Sequence, residues 1–278
     1  LRIKVSEETL DHLKDRNAEI VIIAHKGRPE GKVDENLSLK PFQPIFDRWG
    51  ARVEENLRFD PGEEKNDLEF VRRLADLGDV CVNEAFGNSH REHASIVGLP
   101  KLLPHAAGFR FEKEIENLSK VFDNPKRPVL FIVGGSKKDK LDYIENLKFI
   151  ADKILVGGRL PDYLQDTRYS ILDTKIIVAN LLPDKEDMTI NSIEKFEEEI
   201  GKAGTIVLAG PMGKYEDKGH RQGTERIFKA VANSNAFKIT GGGDSLSVIS
   251  IYNLKNKFDW VSVGGGAMLE FLAKRTLP

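Results

Sequence analysis

Residues 129–137 read VLFIVGGSK, in which five apolar residues, Val129 to Val133, run directly into Gly134 and Gly135. A short, uninterrupted apolar run that ends in glycines is typical of a strand buried on both faces, as in a parallel sheet. Three of the five residues are β-branched, which also favours a strand. The stretch therefore predicts a buried parallel strand with a glycine-rich turn at its carboxyl end.

Similar apolar runs recur along the chain and are separated by charged segments with helical spacing. Ser6, followed by Glu7 and Glu8, predicts the start of a helix before the first run. Alternating helices and buried strands predict an α/β protein. The predicted strands cover residues 20–24, 79–82, 129–133, 153–156, 175–179, 205–208, 237–240 and 260–263.

The length of 278 residues predicts about two domains, at roughly 150 residues per domain. Pro125 and Pro128 interrupt a polar stretch just before the strand at 129–133, and we place the domain border there. The predicted domains are residues 1–123 and 124–278, with the C-terminal tail returning to the first domain.

Composition excludes several classes of protein. The net charge is −2 although 31% of residues are charged, so no overall basic field indicates a nucleic-acid partner. The single cysteine, Cys81, excludes an internal disulfide framework, and no apolar stretch approaches the roughly 20 residues of a membrane span. We expect a cytoplasmic, monomeric protein. Because the sequence begins at Leu1, we also expect the native chain to be longer.

Cations follow the strands of the first half. His25-Lys26-Gly27-Arg28-Pro29 comes directly after the strand predicted at 20–24. Segments 55–59 and 83–91 each place an arginine near a loop. Ligands of open parallel sheets bind beyond the carboxyl ends of strands, and guanidinium groups match carboxylate and phosphate oxygens. The pattern favours a site for a small phosphorylated acid.

Glycines follow the strands of the second half, at residues 134–135, 157–158, 210–213, 241–243 and 264–266. Glycine allows backbone N–H groups to approach a phosphate closely. No P-loop and no G-x-G-x-x-G motif occurs, which disfavours a nicotinamide-dependent oxidoreductase without excluding it. Lysines at 137–140 and Asp244 supply the charges that phosphoryl transfer needs. Cations in one lobe and glycine-rich loops in the other predict a cleft between them.

Seven ordered motifs resemble those of the phosphoglycerate kinase family: His25-x-Gly-Arg28-Pro29, Glu55-Asn-Leu-Arg58-Phe, Ala85-Phe-Gly87 with His90-Arg91, Gly134-Gly-Ser-Lys137, Gly210-Pro-Met-Gly213, Gly241-Gly-Gly-Asp244 and Gly264-Gly-Gly-Ala267. The resemblance implies two Rossmann-like lobes with parallel sheets flanked by helices. It also implies reversible phosphoryl transfer from 1,3-bisphosphoglycerate to ADP in glycolysis, giving 3-phosphoglycerate and ATP, with Mg²⁺ bound to the nucleotide.

The resemblance further implies site residues. The acid substrate would bind Arg2, His25, Lys26, Gly27, Arg28, Arg58 and Arg91. Arg2, Lys137 and Lys140 would be catalytic. The nucleotide would bind Lys140, Gly158, Glu216, Gly242, Gly243, Asp244 and Ser245, with Asp244 also holding Mg²⁺.

The chain departs from the family pattern at several points. Lys137 and Lys140 are three residues apart where the family has four, and Ala209 and Val263 stand where asparagine and threonine are expected. Segments expected near residues 48–54 and 162–176 are missing. An alternative reading is therefore a shortened, inactive relative that acts as a binding protein.

Overall fold

The computed structural model describes residues 2–164 and 174–278, with only the backbone of Arg2. The chain divides into two compact units: unit 1 comprises Leu1–Glu114 and Pro278, and unit 2 comprises Ile115–Leu277. The division falls within helix α6 (Phe109–Ser119). A domain border after residue 123 stays a prediction.

Unit 1 is built from short elements. Its helices before α6 are α1 (Arg2–Val5), α2 (Glu7–Asp15), α3 (Gln43–Phe46), α4 (Pro61–Lys65) and α5 (Leu68–Ala75). Its strands are β1 (Val21–Ile22), β2 (Arg52–Val53), β3 (Cys81–Asn83) and β4 (His105–Ala107). β1 pairs with β2 and β3 pairs with β4, both in parallel, so the described residues form two separate two-stranded sheets.

The sequence patterns predict β1 and β3 but not β2 and β4. β2 has only two residues, one of them exposed, and all three residues of β4 are exposed. Neither strand needs an apolar run, because neither is buried on both faces. Their pairing depends on neighbouring strands, which the local sequence does not reveal.

Among the described residues of unit 1, hydrophobic side chains pack in clusters that stabilise it. One gathers around α2 and contains Leu10, Ile20, Phe46, Trp49 and Ala51. The other packs α5 against the residues around it and contains Leu57, Phe70, Val71, Leu74, Ala94 and Leu99. Both clusters lie next to the segments that carry the predicted cations.

The described residues of unit 2 form one parallel sheet of six strands: β5 (Val129–Val133), β6 (Lys153–Val156), β7 (Ile176–Val178), β8 (Thr205–Ala209), β9 (Phe237–Gly241) and β10 (Trp260–Ser262). All six match predicted strands. Every residue of β5 and β8 is buried, as the uninterrupted apolar runs predict. The sheet order is β10-β9-β8-β5-β6-β7.

This order is that of a doubly wound sheet. From β5 the chain adds β6 and β7 on one side, then crosses to β8 on the other side of β5. Ligands of such sheets bind beyond the carboxyl ends of the strands at this reversal. The fold therefore predicts a ligand site at the loops that follow β5 and β8.

In the part of unit 2 that the structure describes, the helices after α6 are α7 (Ile144–Leu147), α8 (Leu160–Tyr163), α9 (Ile190–Lys202), α10 (Gln222–Asn233), α11 (Gly243–Ile251) and α12 (Gly265–Lys274). Phe196 of α9 and Phe228 of α10 are fully buried in the same cluster as Ile132 and Leu208 of the sheet. Within the described ranges, no helix combines the length and apolar character needed to cross a bilayer.

Candidate active site

The basic loop of unit 1, residues 25–29, follows β1 and is held by a neighbouring asparagine. Gly27 has φ of +68°, a left-handed conformation that glycine adopts without strain. Asn56 is buried, and its Nδ2 donates to the carbonyl oxygens of Lys26 (2.7 Å) and Leu37 (3.0 Å). Asn56 thus fixes the loop backbone, a supporting role that the sequence patterns do not reveal.

Arg58 lies beneath this loop and is only 5% exposed. Its Nη1 donates to the carbonyl oxygen of Gly27 (2.9 Å), and its Nε lies 3.3 Å from Oε1 of Glu64. Burial lowers the pKa of Arg58, and the charges of Arg91 and Arg28 lower it further against the opposing effect of Glu64. Arg28 and Arg91 are therefore close enough to Arg58 for their charges to repel its guanidinium group.

The segment around Arg91 faces the same region. Among the described residues, Nε of Arg91 is buried with no hydrogen-bond partner. Burial lowers the pKa of His93, and the charges of Arg58 and Arg91 lower it further. A buried donor without a partner is costly, and an anion that accepts from it relieves both this cost and the repulsion between the arginines. These observations fit a site for a small polyanion.

The other predicted acid-substrate ligands have different surroundings. Nζ of Lys26 donates to the carbonyl oxygen of Asn36 (2.8 Å) and lies 5.6 Å from the ring centroid of Phe42, so it braces the following segment. His25 is half-buried and Arg28 is exposed. The side chain of Arg2 lies outside the described part of the structure, and its role stays a prediction.

In unit 2, Lys140 occupies the reversal point of the sheet. Its Nζ donates to the carbonyl oxygen of Gly134 (2.6 Å), the residue after β5. It also donates to the carbonyl oxygen of Ala209 (3.1 Å), the last residue of β8. Burial lowers the pKa of Lys140 to about 8, although the charge of Asp244 opposes the shift. A cation held against carbonyl oxygens at a ligand-binding crevice is suited to neutralising a phosphate.

The three-residue spacing of Lys137 and Lys140 has a local structural basis. A 3-10 helix runs from Lys138 to Tyr143 directly after Lys137. Residues three apart eclipse one another in this type of helix. The charge of Lys137 also contributes to lowering the pKa of Lys140, so the two ammonium groups act on the same region.

The glycine-rich turns allow three loops to approach one another. The N–H of Gly135 donates to the carbonyl oxygen of Pro211 (2.7 Å), and the N–H of Arg159 donates to that of Gly135 (3.0 Å). Gly158 has φ of +60°, and a Cβ there would lie 2.4 Å from the nitrogen of Gly135. Gly158 is therefore required for the packing of these loops, whatever its contact with a nucleotide.

Helix α11 presents an open N-terminus beside these loops. Gly242 precedes the helix with φ of +97°, and a Cβ on Gly243 would meet no atom of the described residues within 4 Å. N–H groups at such a terminus bind phosphate readily. Ser245 is 1% exposed, and its Oγ accepts from the N–H of Gly210 (3.0 Å), so it joins α11 to the end of β8.

Two predicted carboxylates lie near Tyr215. Burial raises the pKa of Tyr215, and the charges of Glu216 and Asp244 raise it further. Both carboxylates belong to exposed residues. The tertiary structure thus brings the predicted ribose and metal ligands to the same tyrosine, although 28 positions of sequence separate them.

The turn at 210–213 is supported by residues that the sequence patterns did not indicate. Oγ1 of Thr224 accepts from the N–H groups of Met212 (3.0 Å) and Gly213 (2.9 Å). Asp187 is buried, and its Oδ2 accepts from the N–H of Gly223 (3.0 Å). Both residues lie outside the glycine-rich motifs, so only their contacts identify them.

The fold and these sites define a class of protein. A doubly wound sheet carries a half-buried lysine at its reversal point and an open helix N-terminus beside it, and a second unit carries clustered guanidinium groups. These are the features of an α/β phosphotransferase that acts on a nucleotide and a small phosphorylated acid.

Comparison with known proteins gives the particular family. The phosphoglycerate kinase family profile matches residues 50–170 and 173–275. The chain is 34% identical to the phosphoglycerate kinase of Finegoldia magna and 35% identical to that of Dictyoglomus turgidum, covering all of this chain and 89% and 88% of those proteins. The chain belongs to the phosphoglycerate kinase family, as its motifs predict.

Two solved structures of phosphoglycerate kinases also resemble this chain. The phosphoglycerate kinase of Coxiella burnetii matches with a TM-score of 0.79 at 29% identity, and that of Pyrococcus horikoshii with 0.80 at 26%. Each match covers 99% of this chain and 88% of the other. The alignments with the two relatives named above span 352 and 350 positions against 278 residues here, so those relatives contain internal segments that this chain lacks.

Family membership contradicts the reading of an unrelated oxidoreductase. Nothing in the comparisons or in the described part of the site favours the inactive binding protein. The substitution at Ala209 does not remove the contact with Lys140, because Lys140 bonds to the backbone carbonyl oxygen of that residue.

Proposed function

We propose that this chain catalyses the reversible transfer of a phosphoryl group from 1,3-bisphosphoglycerate to ADP, giving 3-phosphoglycerate and ATP in glycolysis. Family membership supports the reaction. The structural observation that supports it most directly is Lys140, whose ammonium group lies between the ends of β5 and β8 with a pKa of about 8.

The acid substrate binds to unit 1. Arg28, Arg58 and Arg91 hold its phosphate and carboxylate oxygens, because a bound anion offsets the repulsion that Arg28 and Arg91 exert on Arg58. His25, Lys26 and Gly27 complete this site through the loop after β1. Arg2 binds the acid as well and faces the group that is transferred.

The nucleotide binds to unit 2. Its phosphates accept from the open N-terminus of α11 at Gly242 and Gly243. Gly158 lets the neighbouring loops pack beneath the nucleotide, Glu216 binds the ribose hydroxyls, and Ser245 holds α11 against the end of β8.

Mg²⁺ fits the donor set at Asp244. Magnesium usually binds one or two carboxylates together with substrate phosphates and water. Asp244 supplies one exposed carboxylate in the first turn of α11, where nucleotide phosphates would lie. The ion would neutralise phosphate charge and orient the nucleotide.

The chain's residues act by position and charge, with no covalent intermediate on the enzyme. Lys137 and Lys140 neutralise the charge that develops on the transferring group. Because the pKa of Lys140 is about 8, an approaching phosphate stabilises its protonated form. The arginines of unit 1 orient the acyl phosphate for in-line transfer.

A coupled assay with 1,3-bisphosphoglycerate and ADP tests the proposal. We expect turnover by the wild-type chain and by Lys202→Met, whose lysine lies on the exposed surface of α9. We expect Lys140→Met to lower turnover by about 10²- to 10³-fold, the usual cost of losing one stabilising donor. Binding of both substrates without turnover by the wild-type chain would favour the binding-protein alternative instead.

We also propose that the protein is a monomer and is cytoplasmic. A single half-buried cysteine, whose thiol pKa is raised by burial, is compatible with a reducing compartment. Light scattering tests the oligomeric state, and cell fractionation tests the location.

A further inference from the structure

The loop that carries Glu216 is tied to the loop after β7 through one histidine. Nδ1 of His220 lies 3.0 Å from Oδ2 of Asp217, and its Nε2 lies 2.9 Å from Oδ2 of Asp184. Asp217 belongs to the same loop as His220, whereas Asp184 belongs to the segment between β7 and α9. The imidazole ring therefore bridges two loops.

Both carboxylates are oriented so that only an imidazolium satisfies them. The other oxygen of Asp217 accepts from the N–H of Gly219 (2.9 Å), and that of Asp184 accepts from the N–H of Glu186 (3.1 Å). The remaining oxygens face the two ring nitrogens. A neutral imidazole has one N–H, so one of its nitrogens would then present a lone pair to a carboxylate. The geometry requires the charged ring.

The remaining charged groups near His220 do not remove this requirement. Asp187 is buried in the same β7–α9 segment, and the charge of His220 acts on it. Lys214 pairs with Glu186 (3.4 Å), and Lys185 pairs with Asp162 (2.6 Å), so these two lysines pair with carboxylates other than the two that contact His220. The two aspartates hydrogen-bonded to His220 raise its pKa above the ordinary value.

The bridge bears on the site because Glu216 lies between its anchors. The loop is held at one end by the N–H of Lys214, which donates to the carbonyl oxygen of Glu186 (2.8 Å). His220 holds the other end. Between them, Tyr215 lies near Ser247 and Asp244 of α11, and Glu216 lies beside it. Gly223, just after this loop, also donates to Asp187 of the β7–α9 segment (3.0 Å), so release of His220 would remove the side-chain bridge and leave the contacts at Lys214 and Gly223.

We propose that His220 is a positioning residue: as an imidazolium it clamps the Glu216 loop to the β7–α9 loop, so that nucleotide affinity falls when His220 loses its proton. This inference rests on the proposed function, because Glu216 is taken as the ribose ligand. The clamp itself does not depend on that role.

Proton NMR of the histidine rings tests the clamp without nucleotide. We expect the His220 resonance to titrate with a midpoint above 6.5, and Asp184→Asn to lower this midpoint. We also expect the amides of residues 214–219 to exchange faster once the wild-type ring is deprotonated. A midpoint at or below 6.5 that Asp184→Asn leaves unchanged would overturn the clamp.

ADP affinity, measured by calorimetry across the pH range 6 to 9, tests the positioning role. Lys140 titrates in this range too, so the informative quantity is the ratio of wild-type to His220→Gln affinity at each pH. We expect a ratio of about three to five at pH 6, the scale of exposed ion pairs, declining towards one as the ring deprotonates. His105→Gln, an exposed histidine of unit 1, serves as the control and should match wild type.

A ratio that does not change with pH would overturn the positioning role. If no variant binds ADP at any pH, the proposed function fails together with the positioning role. The ring titration and the amide exchange would still decide the clamp, so the two failures are distinguishable.

Discussion

At the scale of single residues, the two candidate sites share one feature: each contains a cation whose pKa is lowered by burial. Arg58 is buried near two other guanidinium groups, and Lys140 is held between carbonyl oxygens. Burial of an unneutralised charge opposes folding, so such arrangements are found mainly where a ligand binds. Lys140 should therefore affect stability and binding in opposite directions.

Lys140 gives a pH-dependent test of this reasoning. Its pKa of about 8 in the folded chain lies below the ordinary 10.5, so the unfolded chain binds more protons between these values. The free energy of unfolding therefore rises as pH rises from about 8 to 10.5. We expect Lys140→Met to lack this contribution, measured as the difference between the pH profiles of thermal unfolding of the two proteins. Parallel profiles would contradict the assignment, and Lys202→Met is the control.

Arg28 gives the cleaner test of the acid-substrate site. It is exposed, so Arg28→Ala should leave the melting temperature unchanged and weaken binding of 3-phosphoglycerate about ten- to hundredfold, because hydrogen bonds to charged groups contribute roughly 1.5–3 kcal/mol. ADP affinity should be unchanged. Calorimetry measures both affinities, and Arg72→Ala, an exposed arginine on α5, is the control.

Arg58→Ala should behave differently from Arg28→Ala, because Arg58 also donates to the carbonyl oxygen of Gly27. We expect a lower melting temperature together with weaker acid binding. Equal loss of ADP and acid affinity in either variant would contradict the assignment of the two ligands to different units.

At the scale of elements, the glycine-rich turns have two separate functions. Gly158 is needed because neighbouring backbone occupies the space a side chain would fill. Gly243 has open space around it among the described residues and lies at the exposed start of α11. The sequence shows the same residue type at both positions, and only the surrounding atoms distinguish packing from ligand access.

The glycines of unit 2 allow a matched pair of substitutions. Gly158→Ala places a methyl group 2.4 Å from a backbone nitrogen at a positive φ, so we expect it to destabilise the protein by more than about 1 kcal/mol. Gly201 lies within α9, and a methyl group there would meet no atom of the described residues within 4 Å. Gly201→Ala should stabilise by up to about 1 kcal/mol, since alanine favours helix. Chemical denaturation measures both, and equal effects would contradict the packing argument.

At the scale of the whole molecule, the proposed acid site and the proposed nucleotide site belong to different compact units. In the ranges 2–164 and 174–278, unit 1 has small hydrophobic clusters and two-stranded sheets, whereas unit 2 has a six-stranded sheet with fully buried central strands. Small clusters with short strands stabilise less than a large core. Because each proposed site belongs to a different unit, the two units should respond differently to ADP and to 3-phosphoglycerate.

Amide exchange measured by mass spectrometry tests this division. ADP with Mg²⁺ should protect segments 134–140, 210–213 and 242–246 of unit 2, because bound ligands stabilise the structure that they contact. By the same reasoning, 3-phosphoglycerate should protect segments 25–29 and 56–58 of unit 1. Protection of the same segments by both ligands would contradict the division, and an exposed part of α9 provides the internal control.

The sequence by itself determined the class of fold, the strands of unit 2 and the family. The strands at 129–133 and 205–208 are buried on both faces. Their apolar runs therefore predict strands without any knowledge of the strands that pair with them. Ordered motifs such as Gly210-Pro-Met-Gly213 identified the family because turns that approach a ligand tolerate few residue types.

Only the tertiary structure decided which residues meet. β2 and β4 carry no apolar run, since exposed strands are defined by their neighbours, and Thr224 and Asp187 support a turn from outside every motif. The bridge from His220 to Asp184 joins residues 36 positions apart. Local sequence predicts the strand, helix or turn that a segment forms, whereas contacts of this kind depend on how distant segments pack.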